Sequence, residues 1–550
     1  MASGAVRKLY LLPLLVSLAT MAGAQSFRVQ CPASTSTHPN AANNNSEPPY
    51  NGPGINGAIK CQQVSGGDGY ATMGDGTQTY MFSFGPLSGL ADIANGQPGT
   101  EFPNVFNTVY DPTGNWSTLL NGAVYTPASH TPLVPGDPAT TDGVTANAWT
   151  GFPLSTAGFP WNGAVGLVPD INSENIEKNG YNPITGHVDP RPIMDVGVMN
   201  GNIPAPLMAI DEDDEFFLTL TNVGMLMRPD LFEQHTIHFH GYPNASAFYD
   251  GVPDASVAIN IGGSFTYYYL APDAGTYFWH CHITPPEHLQ MGMVGQLYVR
   301  PRQNRIPTGS RLYAGLQAQQ TDLRTACNTS TDILCTNPLP PADTGATGKA
   351  TVSFGTGTSG YAYNDGDGST YYDVEYPLQI HGFDPNFHFV GMTFNPEGLA
   401  DMKDKYFLLN GRSYPDTVTP GPLATQSSDG KMHFSQPLPS IINIPAGKKA
   451  LLRISDLDVS EYQTLASLGI PMHVIGYNAK LLRDQAGNNM DYYTNSITLG
   501  GGESLDVILD ASNKTLYPSG SVFYLYTPNL DHLANDAENF GGLMTEIHIN

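Results

Sequence analysis

The sequence predicts an all-β protein built from two β-sandwich domains. Three observations carry that prediction. Glycine (59) and proline (45) are abundant beside 29 tyrosines and 23 phenylalanines, a mixture that favours strands joined by turns. Short runs of β-forming residues, such as Phe216–Thr221, Ser264–Tyr269, Gly275–Trp279 and Gly295–Val299, are split by Gly, Pro and Asp turns, the rhythm of a sandwich. No long amphipathic helical pattern competes with them. A chain of 550 residues with 40% hydrophobic content is long enough to bury more than one core.

Taken in order, residues 1–24 read as a signal peptide. Arg7 and Lys8 precede an apolar run from Leu9 to Ala22, and Ala22-Gly23-Ala24 makes a small-residue cleavage site. The run is short for a transmembrane anchor and Pro13 interrupts it. A secreted protein, periplasmic or extracellular, is therefore expected, with no transmembrane segment. Residues 25–190 form a loop-rich region contributing strands to the first domain, Thr79–Phe84 among them. Residues 191–300 hold the sharpest strand pattern and form the first sandwich. Residues 301–350 are rich in Pro, Thr and Ala and read as a linker. Residues 351–550 resume strands at Ala450–Ile454, Ser504–Leu509 and Ser521–Tyr526, a second sandwich.

The net charge of -26 repels nucleic acid and anionic membranes, and attracts cations. Export permits disulfides. Cys31–Cys61 and Cys327–Cys335 are the economical local pairs, which leaves Cys281 alone.

Six of the fifteen histidines fall between 235 and 288, in two blocks. One is His235-Thr-Ile-His238-Phe-His240. The other is His280-Cys281-His282 followed by His288, Met291 and Met293. Side chains alternate along a strand. An extended 279–282 segment therefore points Cys281 one way and His280 and His282 the other. His238 and His240 share a face, and His235 has the opposite parity. Two metal environments follow, back to back. His235, Cys281, His288 and a methionine make the donor set of a blue-copper electron-transfer site. Met293, five residues after His288, is the better axial candidate and Met291 the runner-up. The set also explains the odd cysteine. The second environment gathers His238, His240, His280 and His282, a thiolate-free set suited to copper that handles oxygen or another small oxidant.

Lesser features have plainer readings. Asp211–Glu215 is a solvated acidic turn, with cation attraction as the alternative. Met225 and Met227 belong to core or loop. Gly500-Gly501-Gly502 is a turn. Asn115, Asn244 and Asn328 head glycosylation sequons. His381, His388, His473 and His532 are structural or surface histidines, with His381 and His388 the first to consider as further ligands.

At these blocks the chain resembles the multicopper oxidases, laccase-like proteins built of cupredoxin domains. The resemblance runs through Asn200–Pro204, Asp211–Asn222, His235–Gly241, Asp250–Pro253, Ala274–Tyr277 and Gly292–Val299. The second half matches more softly at Tyr406–Arg412, Ile470–Gly476 and Thr498–Ile508, where it looks like a copper-free domain of that family. The resemblance implies two cupredoxin-like Greek-key sandwiches and a copper-dependent oxidoreductase. His235, Cys281, His288 and Met293 would be the type 1 site that takes an electron from a small reductant, a phenol or a metal ion. His238, His240, His280 and His282 would be the catalytic set, half of a type 2/type 3 cluster where O2 becomes water.

The family builds that cluster from two domains, and here the second half lacks a His-x-His pair. A homo-oligomer could supply the missing half across a twofold axis. Two alternatives stay open. A copper nitrite-reductase-like enzyme would need only His240, His280 and a neighbouring chain's histidine. A non-enzymatic copper-binding or electron-relay protein of the cell surface would need no complete cluster.

Overall fold

The computed structural model describes residues 35–36, 59–86, 118–120, 123–125 and 201, and most of 203–319 and 350–550. The predicted signal segment, Cys31, Cys327, Cys335, Met227, Asn115, Asn244 and Asn328 lie outside these residues, as does the side chain of Cys61.

The first half folds as two four-stranded sheets face to face. One runs in the order Gln78–Pro86, Ile59–Thr72, Glu215–Gly224, Ser264–Leu270. The other runs Met208–Asp211, Val294–Arg300, Gly275–His280, His238–Phe239. Between them lie Phe84, Phe216, Leu218, Tyr267, Trp279 and Val299, all buried. The 14-residue strand Ile59–Thr72 was not legible as a strand. Its Ser-Gly-Gly-Asp-Gly stretch has the composition of a loop, yet it pairs in parallel with Glu215–Gly224 and slips register at Gly66/Gly67. Tertiary pairing overrides local propensity there.

The second half has a nine-stranded and a five-stranded sheet. Leu378, Leu452, Val474 and Val507 of the first pack on Leu465, Leu525 and Ile547 of the second. Both halves are thus sandwiches of two packed sheets. Within 301–350, a helix forms at Leu312–Gln319. Its Leu312 and Leu316 pack with Ile306, Val352 and Tyr361.

A buried polar network joins the halves. The fully buried Arg453 donates to Glu375 at 3.1 Å, and Arg300 donates to the same carboxylate at 2.6 Å. Thr276 donates to Asp506 at 2.6 Å, and Gln296 to Ser455 at 2.8 Å. The Arg453 guanidinium also lies over the Tyr298 ring, 4.6 Å from its centroid.

Asp211–Glu215 departs from the reading of a solvated turn. Glu212, Asp213, Asp214 and Glu215 are buried. Arg302 and Arg305 pair with Asp213 at 2.9 and 2.7 Å, and Asn364 donates to Glu212 at 2.7 Å. The sequence hides this because the compensating cations stand some ninety residues away.

Candidate metal centres

The strand Gly275–His280 runs between Val294–Arg300 and His238–Phe239, with His238 directly opposite His280. It carries the ligands to the end of its sheet, where a short helix, Pro285–Gln290, turns the chain back. Cys281 therefore faces into the sandwich while His280 faces away from it.

On the inner side, the donor atoms of His235, Cys281 and His288 lie within 4.8 Å of one another, all three residues buried. The Nδ1 of His288 is 3.3 Å from the Cys281 sulfur, and that of His235 is 4.0 Å away. The Thr236 amide donates to the same sulfur at 3.4 Å. Cys281 is a free, buried cysteine. Met293 is buried and tied by its backbone to both ligands: its N–H donates to the His288 carbonyl at 2.8 Å and its carbonyl accepts from Cys281 at 3.1 Å. Met291 is buried in the same core.

Burial works to lower the pKa of His288, but the Cys281 sulfur and Glu233, 3.5 Å from its Nε2, push it up to about 9. Burial, with His288 beside it, holds His235 well below the ordinary range. A cation is therefore already favoured next to the sulfur, and a metal ion would supply that charge.

On the outer side, the nitrogens of His238, His240 and His280 converge within 4.8 Å. The Nε2 atoms of His240 and His280 are 2.9 Å apart. Two of these rings turn Nδ1 to a backbone carbonyl: His238 to Asp250 at 2.7 Å and His280 to Cys281 at 2.7 Å. This fixes the tautomer and leaves Nε2 as the available donor to metal. Burial and then His238 lower the pKa of His240 to about 4, and burial followed by His240 lowers that of His280 well below the ordinary range. Neutral imidazoles are the form that ligates. His282 stands beside the trio, its ring centroid 5.0 Å from His238 and 5.4 Å from His280, but it is not one of the converging three.

The two centres thus use opposite nitrogens, Nδ1 toward the sulfur and Nε2 in the outer cluster. Thiolate with imidazole and thioether nearby is a set that copper favours, and the all-imidazole set suits copper as well. The residues present fit that metal at both places.

Other histidines have structural partners. His381 Nε2 faces the Leu289 carbonyl at 2.9 Å. His388 places its nitrogens 2.6 Å from the Tyr80 carbonyl and 2.9 Å from that of Gln290. Leu289 and Gln290 end the helix that carries His288, whose last carbonyls have no intrahelical donor. The two second-half histidines therefore support the ligand helix instead of binding metal in the inner centre. His532 stacks on Phe407 and His473 on Tyr493. Sequence reasoning also missed Gly66: a Cβ there would lie 2.4 Å from the His235 ring. Only the fold reveals that contact, since the register of Ile59–Thr72 sets it.

Residues 184–304 match the family model described as multicopper oxidase. Laccase abr2 of Aspergillus fumigatus is 35% identical over 109 residues, 20% of this chain and 17% of that protein. Multicopper oxidase MmcO of Mycobacterium tuberculosis is 30% identical over 131 residues, 22% of this chain and 24% of its own length. A copper-containing nitrite reductase of Rhizobium meliloti is 35% identical over 109 residues, 19% of this chain and 26% of that one. The match therefore spans about a quarter or less of these relatives. Among solved structures, the blue copper oxidase from Nitrosomonas europaea gives a TM-score of 0.41 at 22% identity, covering 64% of this chain and 78% of that one. The segment 184–304 contains all the candidate ligands of both centres, and over that segment the chain is similar to the multicopper oxidases.

Proposed function

We propose that this protein is an exported copper oxidoreductase that takes single electrons from a small reductant at the Cys281 centre and delivers them to O2 at the histidine cluster. The observation that carries the reading is the junction at residues 280–281. His280 belongs to the outer trio and Cys281 to the inner one, so one peptide bond joins the two centres. Bound copper would supply one-electron redox chemistry and binding of a small oxidant. The chain's own residues do the rest. The sandwich core excludes water from Cys281. The Thr236 amide donates to its sulfur. The carbonyls of Asp250 and Cys281 orient His238 and His280.

His235, Cys281, His288 and Met293 are assigned to the electron-accepting site. His238, His240, His280 and His282 are assigned to the oxidant-reducing one. A second copy of the chain would complete the cluster from the side where His238 and His282 are only half-buried. Export is supported by the pattern of residues 1–24. Among the described residues, no helix is long and apolar enough to cross a membrane.

A nitrite-reductase-like reaction is the second reading. It is favoured by the pairing of His240 with His280 at 2.9 Å while His282 stays outside the trio. Dye oxidation by the copper-loaded protein, followed with O2 or nitrite as sole oxidant and across protein concentration, separates the readings. O2-dependent turnover that grows with self-association is expected. Turnover with nitrite alone would establish the second reading, and O2 turnover by a monomer would remove the shared cluster.

A further inference from the structure

The Gly500–Glu503 turn lies in the half of the chain that contributes no residue to either trio, yet it reaches the outer cluster. Among the described residues, His238 and His280 turn Nδ1 to backbone carbonyls of their own sandwich, while His240 meets its own sandwich through Nε2, against His280. Its ring neighbours in that sandwich are Phe278, at 4.7 Å between ring centroids, His280 and His238. Its Nδ1 edge is closed from outside by Gly502. A Cβ at Gly502 would lie 2.7 Å from His240 Nδ1 and 2.8 Å from its Cε1, so the Gly502 backbone packs directly on that edge of the ring.

The turn is itself firmly fixed. The Gly502 N–H donates to Asp456 at 2.9 Å, and Glu503 donates to Gly500 at 3.1 Å. The Gly500 N–H donates to the Glu503 carboxylate at 2.8 Å, which also accepts from the Tyr477 hydroxyl. Gly501 passes so close to the Asp458 carbonyl that a Cβ would sit 1.9 Å from it. Gly502 has a φ of +89°, open to glycine and costly to other residues.

We propose that Gly502 is a positioning residue for the outer cluster: its backbone takes the Nδ1 proton of His240 and so presents Nε2 to the metal. The ligand-poor half of the chain thereby completes the orienting shell of the trio, doing for His240 what the carbonyls of Asp250 and Cys281 do for His238 and His280. The proposal rests on reading the trio as a copper site.

Gly502→Ala introduces both a clash with His240 and a strained φ. Gly520→Ala is the matched control, because Gly520 has a φ of +88° and nothing within 4 Å of its would-be Cβ. The expected result for Gly502→Ala is loss of most outer-cluster copper and of its EPR signature, with the blue absorption of the Cys281 centre kept. Gly520→Ala keeps both. Unchanged copper content and EPR spectrum in a folded Gly502→Ala protein would overturn the proposal. The tautomer is read on the unmutated protein loaded with diamagnetic Cu(I), because in the metal-free chain the Nε2 atoms of His240 and His280 face each other at 2.9 Å and share a proton. In 15N-histidine NMR, with the signal assigned by its loss in His240→Gln, His240 is expected to carry its proton at Nδ1. A proton on Nε2 of copper-loaded His240 would refute the role of Gly502. Failure of the unmutated protein to take up copper would refute the copper reading instead.

Discussion

At the residue scale, small side chains matter as much as ligands. Gly66 lets the first strand pass against the His235 ring. Gly66→Ala therefore forces either the ring or the strand to move, at about 1–3 kcal/mol for an overpacked core. The expected outcome is a lower unfolding midpoint together with a shifted or lost blue band in the copper-loaded protein; an unchanged spectrum would show that His235 does not need this contact. The grouping of the candidate ligands was readable from the sequence, because parity along a strand is a local property. His280, Cys281 and His282 sort themselves without any knowledge of the fold. Gly66 and Gly502 were not readable as neighbours of the candidate ligands, nor His381 and His388 as supports of the helix that carries His288. Each acts on a ligand or ligand helix from a distant stretch of chain, and no local pattern encodes such a contact. The acidic run 212–215 was misread for the same reason, since Arg302 and Arg305 bury it from far along the chain.

At the element scale, the six-residue helix Pro285–Gln290 is too short to be stable alone. The second half holds it. His381 and His388 face its terminal carbonyls, and the Gln290 side chain donates to Asp404 at 2.9 Å and accepts from the Asp384 amide at 3.0 Å. Burial holds His388 at a pKa of about 3, so the ring is neutral and donates to one carbonyl at a time. Replacing His388 with Phe strips a donor from a buried carbonyl, at a cost of about 1–3 kcal/mol. Denaturant unfolding should register that loss. The blue spectrum should move with it, because His288 rides on the same helix; stability loss without a spectral change would show that the helix holds its place unaided.

At the scale of the whole molecule, the two sandwiches share a buried network and so should unfold together. Arg453→Met leaves Asp506 without its buried cation and Glu375 with Arg300 alone. About 3–5 kcal/mol should be lost, with far-UV and blue-band melting curves still superimposed; separated transitions would show that the halves are independent. A second whole-molecule property is pH dependence. Burial first, and then Asp458, raise the pKa of Asp404 well above its ordinary value of 3.8, and the same two causes raise that of Asp456. The folded state therefore holds these protons more tightly than the unfolded chain does. Their contribution favours folding at low pH and is lost as pH rises from 3.8 through the raised folded values. Asp404→Asn should flatten that slope and stabilise the protein at neutral pH, by about 1 kcal/mol if one buried charge is relieved. Tm measured across pH tests it, and an unaltered slope would show that Asp404 is not the group responsible.

The opposite nitrogens offered by the two centres have a consequence for redesign by isosteres. An asparagine amide places an oxygen near where histidine carries Nδ1, and a glutamine amide places one near Nε2. The inner centre shows Nδ1 to the sulfur at His235 and His288, while the outer one brings together Nε2 of His240 and His280. Asparagine is thus the conservative replacement beside Cys281, and glutamine the conservative replacement in the cluster. Exchanging the two amides would remove the donor from each centre while leaving hydrogen-bonding capacity and polarity nearly constant.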